Sequence, residues 1–280
     1  MFNPLLIWIL CLSSVNIAVV SKLVGFTSKI LQQDDPEPSP GDNIRIYSMR
    51  FCPYCDRVII AAYKKGLQFE VLNINLQNKP GWFLSKHPEG TVPVLEHDGK
   101  LVSDSRVIIE YLDDAFPETS ILPKEPYLRA KQRYYAIKLE SVCNTIHKVS
   151  YLTKLSGNIT ILAIELAKAE ELLQSPFYSD TAVGLPDIML YPFIQRLHVI
   201  RQFVKDNFLD DYFPNNFPKL VKWFVKMRTM PEIQIVRESE RHLKAFLISK
   251  AKQNATDFDV DLSHPNTPIN WKFFNNSTIQ

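Results

Sequence analysis

The apolar and polar positions in the first part of the chain follow the period of strands and the period of helices in turn. Residues 44–47 alternate as a strand does, and residues 69–74 predict a second strand. Between them the sequence predicts a helix over 53–65, because a proline suits the first helical position and Gly66 suits the C-terminal cap. This order of strand, helix and strand is typical of an α/β domain.

A hairpin and a second helix extend this domain. After a predicted loop over 79–90, two apolar runs within 92–102 flank a turn that contains Gly99. A helix is predicted from Asp104-Ser105 onward, because apolar residues then recur on one helical face. The full order is strand, helix, strand, loop, strand, strand, helix.

The remainder of the chain follows a helical period. Prolines at 117, 123 and 126 mark a linker, and the sequence after them predicts helices interrupted at glycine and proline positions. We therefore expect an α/β domain over 44–122, an all-helical domain over 127–248 and a loose polar tail over 249–280.

The first residues form an apolar stretch of uncertain type. Residues 4–20 are mostly apolar but marginal in length for a membrane span. A secretory signal has a positive charge ahead of its apolar region, and no Lys or Arg precedes these residues. The lysines that follow favour a membrane anchor with the rest of the chain in the cytoplasm; a cleaved secretory signal, or neither, is the alternative. Residues 1–33 are thus a candidate anchor or signal, and a proline-rich lead-in occupies 34–43.

Composition excludes several classes of protein. The chain has 280 residues, of which 46% are hydrophobic and 22% charged, so it is neither mostly disordered nor a multi-span membrane protein. The net charge of +2 gives no basic field for nucleic acid. With 8 glycines there is no glycine-rich phosphate loop, and 4 cysteines are too few for a disulfide scaffold. No second cysteine pair completes a metal site, so we expect no metal.

The pair Cys52-Pro53-Tyr54-Cys55 is the sharpest chemical signal. Cys52 follows a strand and precedes the first turn of a helix, where unpaired N–H groups and the helix dipole favour thiolate over thiol. Cys55 lies three residues on, where it could resolve a mixed disulfide formed on Cys52. Half of a metal site, or two unrelated thiols, is the competing interpretation. The placement between strand and helix favours thiol chemistry.

Two further positions fit a peptide-like ligand with charged ends. A cis bond at Val92-Pro93, as in thioredoxin-type proteins, would leave the Val92 backbone free to pair with such a ligand. The start of the helix at Asp104-Ser105 offers N–H groups and a hydroxyl to an anion, and the Asp104 carboxylate suits an ammonium. An edge-strand proline and an ordinary helix cap are the simpler interpretations.

At these positions the chain resembles the glutathione transferases, and among them the omega class. The resemblance covers about 36–247 and depends on several motifs in the same order as in the family. The motifs are residues 44–53, Asn78-Lys79-Pro80 with Trp82-Phe83, Val92-Pro93-Val94-Leu95-Glu96, residues 110–113, Leu122-Pro123 with Pro126-Tyr127, Tyr191-Pro192 and Lys222-Trp223.

The resemblance implies a thioredoxin-like domain joined to an all-helical domain, usually in a homodimer. It implies that Cys52 forms a mixed disulfide with glutathione, that Lys79 meets the glycyl carboxylate and that the Val92 backbone pairs with the cysteinyl part. Asp104 and Ser105 would hold the γ-glutamyl ammonium and carboxylate. The implied activities are dehydroascorbate reduction, thiol transfer including deglutathionylation, reduction of methylated arsenic acids and some glutathione conjugation.

Three positions depart from the family pattern. Asp104 stands where Glu is common, Cys55 is absent from many members, and Gly184 replaces a usual Ser or Thr helix cap with a small expected effect on stability. Because Cys55 is present, a dithiol reductase that acts on proteins is an alternative function. The intracellular chloride-channel proteins share the two-domain plan, so a non-enzymatic protein associated with membranes is a further alternative.

Overall fold

The computed structural model describes residues 24–26, 30–39, 44–152, 155, 158–204, 206–234, 236 and 240–251. The candidate anchor over 4–20 and most of the predicted tail over 249–280 lie outside these residues. Among the helices that are described, none combines the length and hydropathy needed to cross a membrane.

A mixed sheet of five strands forms the centre of the first domain, in the order β1-β3-β2-β4-β5. β1, β3 and β2 run parallel, and β4 and β5 are antiparallel to their neighbours. The strands are β1 (Val24–Phe26), β2 (Ile44–Ser48), β3 (Phe69–Asn73), β4 (Val94–His97) and β5 (Lys100–Ser103).

Helices pack around this sheet and then make up the rest of the described chain. In the first domain they are α1 (Pro53–Lys64), α2 (Gly81–Lys86) and α3 (Ser105–Ala115). The helical domain contains α4 (Pro126–Val149), α5 (Ile159–Leu172), α6 (Leu185–Ile200), a π-helical turn (Phe208–Tyr212), α7 (Phe213–Asn216), α8 (Pro218–Met227), α9 (Pro231–Gln234) and α10 (Glu240–Ala251). The predicted fold class, a thioredoxin-like α/β domain followed by an all-helical domain, is confirmed.

Three short elements differ from the sequence interpretation. β1 lies within the segment 1–33 that was predicted as an anchor or signal, and Leu31 bridges Ile74 beside it. α2 has six residues inside the predicted loop, and α10 covers the first three residues of the predicted tail. A strand of three residues is too short to show a period, and its position depends on the edge of β3, which is distant in sequence.

One helix connects the two domains. α1 packs against α3 in its own domain and against α6 in the helical domain, and most of the buried apolar residues of both domains form one continuous cluster. The linker after α3 is held by a buried ion pair, in which Lys65 Nζ lies 3.2 Å from Asp113 Oδ1. Asp113 also accepts from the backbone N–H of Ile121 at 2.6 Å. The junction of the domains is therefore fixed beside α1.

Candidate active site

The strand order brings the predicted site residues to one end of the sheet. Cys52 follows the carboxyl end of β2, and β3 runs parallel to β2 toward the same end before the chain reaches Lys79. β4 is antiparallel, so Val92-Pro93 precede its first residue at that end, where Val94 pairs with Ser103. Asp104-Ser105 follow directly. Residues far apart in sequence therefore meet where α1 and α3 begin.

Cys52 is the N-cap residue of α1. Its backbone is extended, with φ −86° and ψ 119°, and Pro53 occupies the first helical position. Its N–H donates to Met49 O at 2.8 Å, which forms the turn that carries the chain from β2 into the helix. The Cys52 side chain thus lies at the positive end of the α1 dipole, which favours an anion. The residue is 6% exposed.

The surroundings of Cys52 lower the pKa of its thiol to about 7. The largest cause is a hydrogen bond from the Cys55 thiol, and the charge of Arg196 adds to it, while burial acts in the opposite direction. Cys55 is fully buried, and burial together with the Cys52 contact raises its pKa well above the usual range. Cys55 is therefore a protonated donor next to a sulfur that ionises near neutral pH.

Val92 and Lys79 lie on the neighbouring loop. The Val92–Pro93 bond is cis, and the pairing of β4 with its neighbours begins only at Val94. The Lys79 side chain lies across Gly90, since a Cβ added at Gly90 would be 3.1 Å from Lys79 Nζ. Gly90 has φ +60°, which other residues rarely adopt, and its lack of a side chain gives the lysine this space. A cation thus lies beside Gly90, two residues before Val92.

Asp104 and Ser105 begin α3 in different environments. Asp104 is exposed, has φ +71°, and its Oδ1 accepts from the N–H of Arg106 at 2.9 Å and of Val107 at 3.1 Å. It is therefore the helix cap that the simpler interpretation expected. Ser105 is buried, and its Oγ accepts from Arg57 Nη1 at 3.1 Å.

Aromatic side chains of both domains surround the Cys52 end of α1. Tyr54 donates to Asn144 Oδ1 at 3.2 Å, and burial raises the pKa of its phenol to about 12, so it is a packing residue and a poor acid. The Phe51 ring stacks on Phe246 of α10 at 4.5 Å between centroids. His147 contacts Tyr54 edge to face, and burial lowers its pKa to about 4. These rings are packed between the two domains, and the Arg57 guanidinium lies 4.9 Å from the centre of the Tyr54 ring.

The sequence analysis did not predict the contacts of two buried arginines. Arg57 bonds to Ser105 and to the helical domain. Arg196 was not considered; it donates to Phe51 O and lies near enough to Cys52 to lower its pKa. The signal for Arg196 was an arginine inside the mostly apolar helix α6, since buried charges are rare unless they have a partner.

Metal ligands do not cluster in this part of the protein. Among the described residues no group of three or more His, Cys, Asp or Glu side chains could hold a metal ion.

Comparison with known proteins identifies the family. Residues 46–120 match the family model described as glutathione S-transferase, N-terminal domain. Glutathione transferase omega-1 of Caenorhabditis elegans is 37% identical over 254 residues, which cover 86% of this chain and 99% of that protein. Glutathione S-transferase omega-2 of Homo sapiens is 34% identical and covers 81% of this chain and 93% of its own length.

Solved structures show the same fold. The rice GST1 structure, solved in complex with glutathione, is 26% identical, covers 76% of this chain and 98% of that chain, and has a TM-score of 0.67. The omega 2C enzyme of Trametes versicolor is 19% identical, covers 76% of this chain and 100% of that chain, and supports the fold with a TM-score of 0.65. The sequence matches along almost the whole of the nematode and human proteins show that this chain belongs to the omega class of the glutathione transferases.

Proposed function

We propose that this protein is a glutathione-dependent thiol transferase and reductase with Cys52 as its nucleophile. The observation that carries the proposal is the Cys52 thiol at the start of α1, whose pKa is lowered to about 7. About half of such thiols are ionised at neutral pH, and the thiolate is the form that attacks sulfur. A tyrosine or serine at this position would stabilise the thiolate of glutathione but would not exchange disulfides.

The reaction consists of two disulfide exchanges. The Cys52 thiolate attacks the glutathionyl sulfur of a mixed disulfide; a new S–S bond forms, and the acceptor leaves as a thiolate that takes up a proton. The thiolate of a second glutathione then attacks the glutathionyl sulfur on Cys52. Glutathione disulfide leaves, and the Cys52 thiolate is regenerated. Reduction of dehydroascorbate uses the same cysteine, with two glutathiones oxidised to the disulfide for each dehydroascorbate reduced to ascorbate.

Glutathione itself is assigned to the residues gathered at the end of the sheet. Lys79 provides a cation for the glycyl carboxylate, and the Val92 backbone pairs with the cysteinyl part. Asp104 Oδ1 is taken up by the helix cap, so the second oxygen of that carboxylate is the one assigned to the γ-glutamyl ammonium. Ser105 is assigned to the γ-glutamyl carboxylate. The aromatic side between α1 and the helical domain is assigned to the acceptor.

The test is glutathione-dependent reduction of dehydroascorbate, followed by the absorbance of ascorbate. We would use the full-length chain, because β1 belongs to the sheet and a truncation at residue 34 would remove it. The wild type should turn over, and Cys52→Ser should lose at least about a hundredfold in rate, because serine is not ionised at neutral pH. Full activity in Cys52→Ser would place the chemistry elsewhere, and inactivity of both would exclude this acceptor.

A dithiol route is the second candidate, and the contact between the two thiols is the observation that favours it. In this route Cys55 would attack the Cys52 sulfur and release glutathione. The complete burial and raised pKa of Cys55 disfavour it as an attacking group, so we assign the monothiol route. Loss of reductase activity in Cys55→Ser, with glutathione binding unchanged, would instead support the dithiol route.

We also propose a homodimer that uses an exposed apolar surface on α3 and α4. These helices lie side by side, joined by an ion pair of 2.7 Å between Arg133 and Glu110. Val107 on α3 and Tyr134 and Ile137 on α4 are each more than half exposed. Apolar side chains on two neighbouring helices are typical of a surface that another chain covers.

The three cysteines described are free thiols, which suits the reducing cytoplasm.

A further inference from the structure

Arg57 is a buried charge with partners in three helices. It is 1% exposed, and its Nε donates to Met189 O in α6 at 2.9 Å. Its Nη2 lies 3.1 Å from Glu140 Oε2 in α4, and its Nη1 lies 3.1 Å from Ser105 Oγ at the start of α3. The guanidinium therefore connects the proposed glutathione site directly to two helices of the helical domain.

The contact with Arg57 fixes what the Ser105 hydroxyl can do. A guanidinium has only donors, so Ser105 Oγ must accept from it, and the one hydroxyl proton has to point elsewhere. Among the described residues the structure records no acceptor for that proton. The Asp104 cap already occupies the N–H groups of Arg106 and Val107. The hydroxyl and N–H of Ser105 are therefore the donors left at this helix start for an external anion.

We propose that Arg57 is a positioning residue for glutathione, and that it commits the Ser105 hydroxyl to donate to the γ-glutamyl carboxylate. The inference depends on the proposed function, since it adds a residue to the same binding site. Without Arg57 the Ser105 hydroxyl is free to rotate, and it can donate its hydrogen bond in directions other than toward the carboxylate. Because Met189 and Glu140 hold the guanidinium in place, the helical domain sets the position of a group that recognises glutathione in the other domain.

Direct attraction of the carboxylate by the Arg57 charge is the competing explanation. Glu140 forms an ion pair with Arg57, which reduces the net charge available to a ligand. The two explanations differ in a double-mutant cycle. If Arg57 acts through the hydroxyl, its removal has no further effect once Ser105 is alanine. If it acts by charge, the two losses add.

The experiment measures binding of two ligands by calorimetry. One is reduced glutathione, and the other is 4-aminobutanoyl-cysteinyl-glycine, which lacks only the γ-glutamyl carboxylate. Wild type should prefer glutathione by roughly tenfold or more, and Ser105→Ala should remove most of that preference, because hydrogen bonds to charged groups are the stronger ones. Arg57→Gln should reduce the preference by roughly threefold or more in the wild type, and by less than about twofold in Ser105→Ala.

Lys64→Gln is the matched control. Lys64 lies on the same helix and pairs with Glu232 of the helical domain at 2.9 Å, so its loss also weakens the domain contact without reaching Ser105. It should keep the wild-type preference.

If Arg57→Gln does not fold, Arg57→Lys keeps the buried charge but not the planar fork of donors, and it should also lose preference for glutathione. In activity assays the KM for glutathione should rise while kcat stays within about twofold.

The outcomes separate the two proposals. A wild type that does not bind glutathione overturns the proposed function itself. A wild type that prefers glutathione, with the same preference in both Arg57→Gln and Arg57→Lys, overturns only the role of Arg57. If Arg57→Gln reduces the preference for glutathione as strongly in Ser105→Ala as in the wild type, the explanation through the hydroxyl is overturned. A wild type that binds both ligands equally removes the assignment of Ser105 to the carboxylate, and the inference with it.

Discussion

The contact between the two thiols leads to a quantitative prediction for Cys55→Ala. The Cys55 thiol is the largest cause of the lowered pKa of Cys52, and alanine removes that donor while leaving the start of α1 and Arg196 in place. Hydrogen bonds to charged groups contribute about 1.5–3 kcal/mol, and a thiol is a weak donor, so we take the lower figure. One pKa unit corresponds to about 1.4 kcal/mol. The pKa of Cys52 should therefore rise by about one unit.

The pH midpoint of alkylation is a better measure of this change than the rate at one pH. A rise of about one unit reduces the thiolate fraction at pH 7 from about a half to about a tenth. The more basic thiolate is also more nucleophilic, by about threefold per unit, which offsets part of the loss. The rate at pH 7 should thus fall by only about twofold, while the plateau rate at high pH rises by about threefold.

The assay is the initial rate of reaction with iodoacetamide between pH 5 and pH 10. Cys143 should stay silent, because burial raises its pKa to about 12, and Cys52→Ser gives the background rate of the remaining cysteines. Cys55→Ser replaces the thiol with a hydroxyl donor, so its midpoint should stay closer to wild type than that of Cys55→Ala. A midpoint in Cys55→Ala that stays within about 0.3 units of wild type would refute the reasoning, because the helix dipole and Arg196 would then account for the lowered pKa.

Three further predictions concern stability and assembly. Gly184→Ser, which restores the usual cap residue, should destabilise the protein by about 1–3 kcal/mol in thermal denaturation, because overpacking is costly. Its Cβ would overlap Ser179 Oγ, and adding Ser179→Gly should recover most of the loss. His147 has a pKa lowered to about 4, so the unfolded chain binds more protons than the folded chain as pH falls below 6.5, and stability is lost down to pH 4. Urea titrations at pH 7.5 and pH 5 measure how much the free energy of unfolding falls between the two pH values. This fall should be about 1–2 kcal/mol smaller in His147→Phe than in the wild type, allowing for the partial exposure of His147. An equal fall in both proteins would assign the acid sensitivity to other groups. Ile137→Glu should shift the protein to monomer in sedimentation velocity, whereas the equally exposed Ile164→Glu on α5 should not; dimers in both would move the interface away from α4.

Local pattern and local chemistry were sufficient for most of the fold. The strand period, the proline at the first position of α1 and Gly66 after it predicted elements that the structure contains within a residue or two. The position of Cys52 ahead of a helix also followed from the sequence, because the N–H groups at a helix start depend only on the helix itself. These features depend on residues within one or two turns of each other, which a single sequence displays directly.

The features that set the chemistry depended on contacts between distant segments. The Ser105 hydroxyl accepts from Arg57, 48 residues earlier, and the carbonyl of Phe51 accepts from Arg196, 145 residues later. The sequence gives no spacing that predicts such pairs, because they form only when α1, α3 and α6 pack together. The same is true of Gly184, whose missing side chain leaves room for Ser179. The sequence by itself determined most elements of the first domain and the position of Cys52 ahead of α1. Tertiary packing alone decided which buried charges face that thiol and the proposed glutathione site, because a buried charge is stable only where the fold brings it a partner.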